Sequence, residues 1–148
     1  MTEAMRGRVR TLSSRLEGLQ RPRVLYILNS QPLITVGPGS FIHHLIEVAG
    51  GDNIATDAHA PYPRINMEDV LRKNPEYILF PVGRFEGIPQ DEQDSWKRWT
   101  DLSAVRHGRL YQIPSDLLNR PGPRVIDGLE LLARTFHPEI FSDRQDAR

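Results

Sequence analysis

Residues 24–68 read VLYILNSQPLITVGPGSFIHHLIEVAGGDNIATDAHAPYPRINME, and this stretch decides the fold. Positions 24–28 are a continuous apolar run with β-branched members, the pattern of a strand covered on both faces. Pro32 ends that strand. Gly37-Pro38-Gly39-Ser40 makes a turn in which Ser40 stands ready to cap a helix. Phe41, Ile42, Leu45, Ile46 and Ala49 then share one helical side, and Gly50-Gly51 supplies a left-handed stop. Residues 52–65 lack periodicity, contain two prolines and read as a surface crossing. Asn66 caps a second, short helix with Val70 and Leu71 pointing inward. Open α/β sheets bind ligands at the loops leaving the carboxyl ends of their strands, so the loop after Leu28 directs the search for function.

Working outward, Val9, Leu12, Leu16 and Leu19 recur at helical spacing, so residues 3–19 read as an amphipathic helix stopped by Pro22. Asn74-Pro75 ends the Asn66-capped helix, and residues 77–80 form a second clear strand. Residues 81–89 read as loop, and residues 92–99 as a helix with Trp96 and Trp99 on one stripe. Residues 110–113 make a third strand that again runs into a proline. Pro121 and Pro123 introduce the last helix, in which Val125, Leu129, Leu132, Ala133 and Phe136 keep the period until His137-Pro138. Helices alternating with short apolar strands predict an α/β fold, a largely parallel sheet with helices on both faces.

At 148 residues the chain is one domain, large enough to bury roughly two-thirds of its unfolded surface. Lys+Arg and Asp+Glu both total 19, so no global field favours nucleic acid or an anionic membrane. Arg6, Arg8, Arg10, Arg15, Arg21 and Arg23 crowd the start of the chain, the pattern of a solvated helix face or a basic arm. No run of 18 apolar residues occurs, and the charged N-terminus lacks the apolar core of a secretory signal. Cysteine is absent, which removes disulfides, thiolate metal sites, cysteine nucleophiles and a lipidated cysteine.

Candidate chemistry is sparse. The Gly37–Ser40 turn precedes a helix as a phosphate cradle does, yet it lacks a third glycine and a P-loop lysine, and Pro38 removes a donor. His43 and Glu47 have the i, i+4 spacing of a metal pair, but with His44 they are expected to face water and form no site. Glu68, in the first turn after Asn66, suits the helix dipole, a role worth about 0.3–1 kcal/mol that Asp69 fills equally well. Ser115, Asp116, Asn119, Arg120 and Arg124 follow the third strand. There Asp116 accepts from a ligand hydroxyl or braces its loop, and Arg120 grips a carboxylate or phosphate. No nucleophile–base pair and no carboxylate pair is present, so nothing asks for an enzyme.

Taken together, the segments PLITVGPGSFIHHLIEVAGGDNIA, YPRINMEDVLRKNPEYIL, LSAVRHGRLYQIPSD and LNRPGPRVIDGLELLARTFHPEIF resemble, in order and spacing, one known family. The chain resembles the C-terminal lobe of the periplasmic binding proteins that deliver corrinoids, haem and iron–siderophores to ABC importers, the cobalamin-binding type most closely. The resemblance implies a three-layer, Rossmann-like lobe over residues 21–141, a connector helix over 3–20 and a tail over 142–148. It implies a cleft wall of Ile34 and Thr35 from the first loop, Tyr62 from the crossing, and Asp116 and Arg120 from the last loop. Glu68 matches the carboxylate that pairs with arginines on the permease. The implied ligand is a metal chelate such as cobalamin, haem or a ferric siderophore, with no resident cofactor or metal, and the implied location is periplasmic or cell-surface.

Two departures stand out. Leu117-Leu118 occupies a loop position that is typically aromatic in cobalamin binders, and the chain lacks the family's N-terminal lobe. One wall alone is expected to bind weakly and to self-associate, forming a homodimer of the isolated lobe. The reading from a different class is a standalone α/β enzyme or sensor that takes a phosphorylated small molecule at the Gly37–Ser40 turn.

Overall fold

A computed structural model describes residues 3–83, 87–118 and 125–139. Four strands, β1 (Arg23–Tyr26), β2 (Asp52–Asn53), β3 (Tyr77–Val82) and β4 (Leu110–Pro114), form one parallel sheet in the order β2-β1-β3-β4. Between and around them run α1 (Glu3–Leu16), α2 (Phe41–Val48), α3 (Met67–Lys73), α4 (Gln90–Ser95), α5 (Ser103–Arg106), α6 (Ser115–Leu118) and α7 (Val125–Phe136).

Alternation along the strands builds two cores. Val24 and Tyr26 of β1, with Tyr77 and Leu79 of β3, point to the face covered by α1, α2 and α7. Their neighbours Leu25, Ile27, Ile78 and Phe80 point to the opposite face, covered by Val70 of α3, Trp96, Leu102 and Ala104. Strands covered on both faces read as unbroken apolar runs, which is why residues 24–28 and 77–80 are legible in the sequence. The expected three layers are present.

Several boundaries differ from the sequence reading. The first helix ends at Leu16 and the chain turns at Gly18, whose φ of 81° lies in the left-handed region, so Pro22 is not the stop. Residues 52–65 are not wholly a crossing: Asp52 and Asn53 pair with Arg23 and Val24 as the edge strand β2. Residues 110–113 therefore belong to the fourth strand. The helix expected over 92–99 starts two residues earlier and tightens into a 3-10 turn, Trp96–Arg98. Both tryptophans pack on the second core. The short α5 was not anticipated. Strand β3 also continues through Pro81 to Val82, into what reads as loop.

Capping chemistry sets the helix starts. The Ser40 hydroxyl accepts from the His43 N–H at 3.2 Å and donates to the Gly37 carbonyl at 2.8 Å. Asn66 accepts from the Asp69 N–H at 2.8 Å, and α3 closes at Asn74, held left-handed at φ 49°. These caps were expected from residue type alone.

Candidate functional site

The sheet order locates a crevice. From β1 the chain leaves through α2 toward β2 on one side, whereas from β3 it leaves through α4 and α5 toward β4 on the other. Opposite crossovers part the loops at the carboxyl ends of β1 and β3, the place where open parallel sheets hold ligands.

The loop after β1 is rigidly tied. Leu28 and Asn29 N–H groups donate to the Ile34 carbonyl, and the Ile34 N–H returns to the Asn29 carbonyl at 3.0 Å. The next residues run antiparallel to the crossing before α3. Ile65 donates to Leu33, Thr35 to Pro63 at 3.1 Å and Gly37 to Pro61 at 2.8 Å. Gly37 is required at that crowded point, because a Cβ there would lie 2.6 Å from the Ala60 carbonyl oxygen. Ile34 also bridges to Arg64. The two segments thus form one ribbon, and it brings Ile34, Thr35 and Tyr62 together.

Their exposures differ. Tyr62 is 56% exposed and Ile34 is half-buried. Thr35 is fully buried, and its hydroxyl has no hydrogen-bond partner among the described residues. Thr35 is held through its backbone, its N–H bonding the Pro63 carbonyl, and its hydroxyl is not displayed at the surface. Asp116 is exposed in the first turn of α6, directly after β4, so it stands at the same end of the sheet. Helix α6 packs against α2 and α7. Arg120, Asn119 and Arg124 lie outside the described residues, as do the side chains of Leu117 and Leu118. Glu68 is exposed at the start of α3, and among the described residues its carboxylate makes no ion pair.

Two hollows mark the surface. One of about 230 Å³ lies beside the ribbon, lined by Asp57, Arg64, Asp69, Arg72 and Lys73 among others. Its charges are largely matched: Lys73 meets Asp57 at 2.8 Å, and Arg72 meets Asp69 at 2.9 Å. The hydrogen bond and charge of Lys73 hold the Asp57 carboxyl below the usual carboxylate range. A larger hollow of about 620 Å³ lies between the end of α1 and the end of α2, lined by Glu17, Arg21, His44 and Glu47. It sits at the amino end of β1, away from the crevice.

The Gly37–Ser40 turn is tied to the crossing and to itself: Gly37 N–H bonds Pro61, Ser40 N–H bonds Gly37, and Pro38 has none to offer. One expectation about α2 changes. His43 does not face water. It is buried on the side of α2 turned toward β2, its Nδ1 is 2.9 Å from Asn53 Nδ2, and its Nε2 is 2.6 Å from the Glu47 carboxylate. The signal was its spacing from Ile46 and Gly50, which extends a second inward stripe. Among the described residues no group of three metal-ligating side chains converges.

Residues 1–117 match the periplasmic binding protein family, and the chain belongs to it. It is 32% identical to a vitamin B12-binding protein of Vibrio cholerae over 126 residues, 84% of this chain and 44% of that protein. The crystal structure of the periplasmic vitamin B12 binding protein BtuF of Vibrio cholerae superposes with a TM-score of 0.74 at 29% identity, covering 90% of this chain and 51% of that one. An ABC-type Fe3+-hydroxamate transport protein of Saccharomonospora viridis gives 0.70 at 26% identity, covering 90% and 47%. The chain therefore spans about half the length of the relatives it matches. Its α/β lobe is of the cobalamin- and siderophore-type periplasmic binding proteins. Among the described residues no helix is long and apolar enough to cross a membrane.

Proposed function

We propose that this chain is the C-terminal, ligand-binding lobe of an ABC importer's substrate-binding protein, taking a corrinoid, haem or iron–siderophore and acting by binding and handover, without catalysis. The observation that carries this reading is the 126-residue match to a vitamin B12-binding protein, laid over a lobe whose carboxyl edge displays Tyr62 from the crossing and Asp116 from α6. Ile34 and the backbone of Thr35 complete this wall, and Arg120 adds a cation from the last loop. Tyr62 offers an apolar ring with a polar tip, suited to the flat face of a large chelate. Glu68 stands apart at the start of α3, where a carboxylate meets permease arginines and directs docking. The work is done outside the cytoplasmic membrane, with a second lobe forming the facing wall.

The test is a titration of cyanocobalamin, haem and a ferric hydroxamate siderophore against ATP, followed by absorbance and by Trp96 and Trp99 fluorescence. The chain is used alone and mixed with an N-terminal lobe from a relative. Saturable binding of one chelate, weakened by Tyr62→Ala, is expected. Tight ATP binding with no chelate response would replace this reading with the nucleotide-type sensor or enzyme.

A further inference from the structure

The Asn53 amide joins three separate segments. Its Nδ2 donates to the Val36 carbonyl at 2.7 Å and lies 2.9 Å from His43 Nδ1, while its Oδ1 accepts from the Ala55 N–H at 3.1 Å. Asn53 is 1% exposed and His43 is 6% exposed. The backbone partners fix which way the amide points: turned over, it would set oxygen against the Val36 carbonyl and N–H against the Ala55 N–H. Its NH₂ group must therefore face the imidazole. His43 Nδ1 then accepts, so the proton sits on Nε2 and is donated to Glu47, 2.6 Å away.

We infer that His43 and Asn53 are positioning residues for the proposed ligand wall, and that they hold it only while His43 is uncharged on Nδ1. Val36 lies between Thr35 and Gly37, whose N–H groups anchor the crossing that carries Tyr62. Asn53 grips Val36 from one side, and the crossing leaves β2 immediately after Asn53. Protonating Nδ1 places N–H against N–H. To relieve this the amide must release Val36 or turn over, and either move loosens the ribbon.

Around the ring, the Glu47 carboxylate of the same helix meets Nε2 and the Asn53 amide meets Nδ1. From β2 the facing group is the uncharged Asn53, and its neighbour Asp52 is exposed. From α7, Asp127 and Glu130 engage Arg8, and from α6 Asp116 is exposed. The Arg21 guanidinium meets the Glu47 carbonyl rather than its carboxylate, at 2.7 Å.

This inference rests on the proposed function for its purpose, but its test needs no ligand. Long-range proton–nitrogen NMR on the whole chain reports the tautomer, and amide exchange corrected for intrinsic rates reports the ribbon. Expected are an Nε2–H imidazole at pH about 7.5 and a loss of Thr35 and Gly37 protection of ~10-fold relative to β3 amides at pH about 5, below the ordinary histidine range. Asn53→Ala should lose that protection at both pH values. His43→Asn, whose Oδ1 takes the place of Nδ1 as an acceptor that does not titrate, should keep the protection at both pH values and flatten the pH response. An Nδ1–H ring at pH about 7.5, or ribbon protection in the native chain unchanged by acid, overturns the inference. Chelate titration of Asn53→Ala is read separately. A ribbon that loosens in a chain that binds no chelate leaves the positioning intact and fails the functional reading instead.

Discussion

The imidazole of His137 donates from Nε2 to the carbonyl of Gly50 at 2.9 Å, joining residues 87 apart in sequence. The ring is buried, and its Nδ1 lies 3.2 Å from the Glu139 carboxylate. This contact fastens the end of α7 to the turn that closes α2. Gly50 has a φ of 91°, and a Cβ there would fall 2.8 Å from His137 Nε2. Gly50→Ala should therefore cost about 1–2 kcal/mol from backbone conformation alone, and more from displacing the ring. His137→Ala should cost about 1–3 kcal/mol by leaving a buried carbonyl unpaired. Urea denaturation checks both, and the double variant should fall short of their sum because the two changes strike one contact. Strict additivity would show that the contact contributes nothing.

Tyr77 contributes to the alkaline limb of stability. Its ring stacks on Tyr111 at 5.7 Å, meets Phe136 edge-on at 5.6 Å and lies under the Arg109 guanidinium at 5.2 Å. Burial pushes the phenol above the ordinary tyrosine value, against the opposing pull of Arg109. A raised folded-state value means the native chain holds this proton more tightly than the unfolded chain. The resulting stability is fully present below the unfolded value of about 10 and is lost as pH rises through the folded one. Tyr77→Phe should flatten the fall in urea midpoint between about pH 9 and pH 11. Identical slopes in the two proteins would refute this.

Thr35→Val tests whether the Thr35 hydroxyl serves the ligand. Its hydroxyl is buried and has no partner among the described residues, so a methyl in its place removes an uncompensated polar group. Stability should be unchanged or rise by up to about 1 kcal/mol, and chelate affinity should not move. A drop in affinity with stability intact would return the hydroxyl to the ligand.

Glu68→Ala separates docking from binding. Losing a first-turn carboxylate should cost at most about 0.3–1 kcal/mol of stability, since Asp69 remains at the same dipole end. In a two-lobe protein, uptake through the permease should fall while ligand affinity holds. An affinity loss would put Glu68 in the ligand cleft.

Much of this architecture is legible in the residues, and the illegible parts have physical causes. Strands β1 and β3 announce themselves because both faces are covered, which forces unbroken apolar runs. Strand β2 is two residues, Asp52 and Asn53, with no apolar pattern to read. Its pairing depends on where α2 delivers the chain. Asn53 thus looks like a loop residue, and its grip on Val36 and His43 appears only in three dimensions. His43 misleads for a related reason: an i, i+4 histidine–glutamate pair reads as a wet helix face, but β2 covers that face. Ser40 and Asn66 were readable because caps are local, decided within three residues of chain. The ribbon that carries Tyr62 is built from backbone hydrogen bonds and leaves no side-chain signature.

The borders of the sheet carry a consequence of their own. On one side lies a two-residue strand, and on the other β4 ends in Pro114, which has no N–H to offer. A foreign strand trying to zip onto either margin would find few backbone groups in register and a proline at the end of one of them. The flanks of the lobe therefore resist fibril-like stacking.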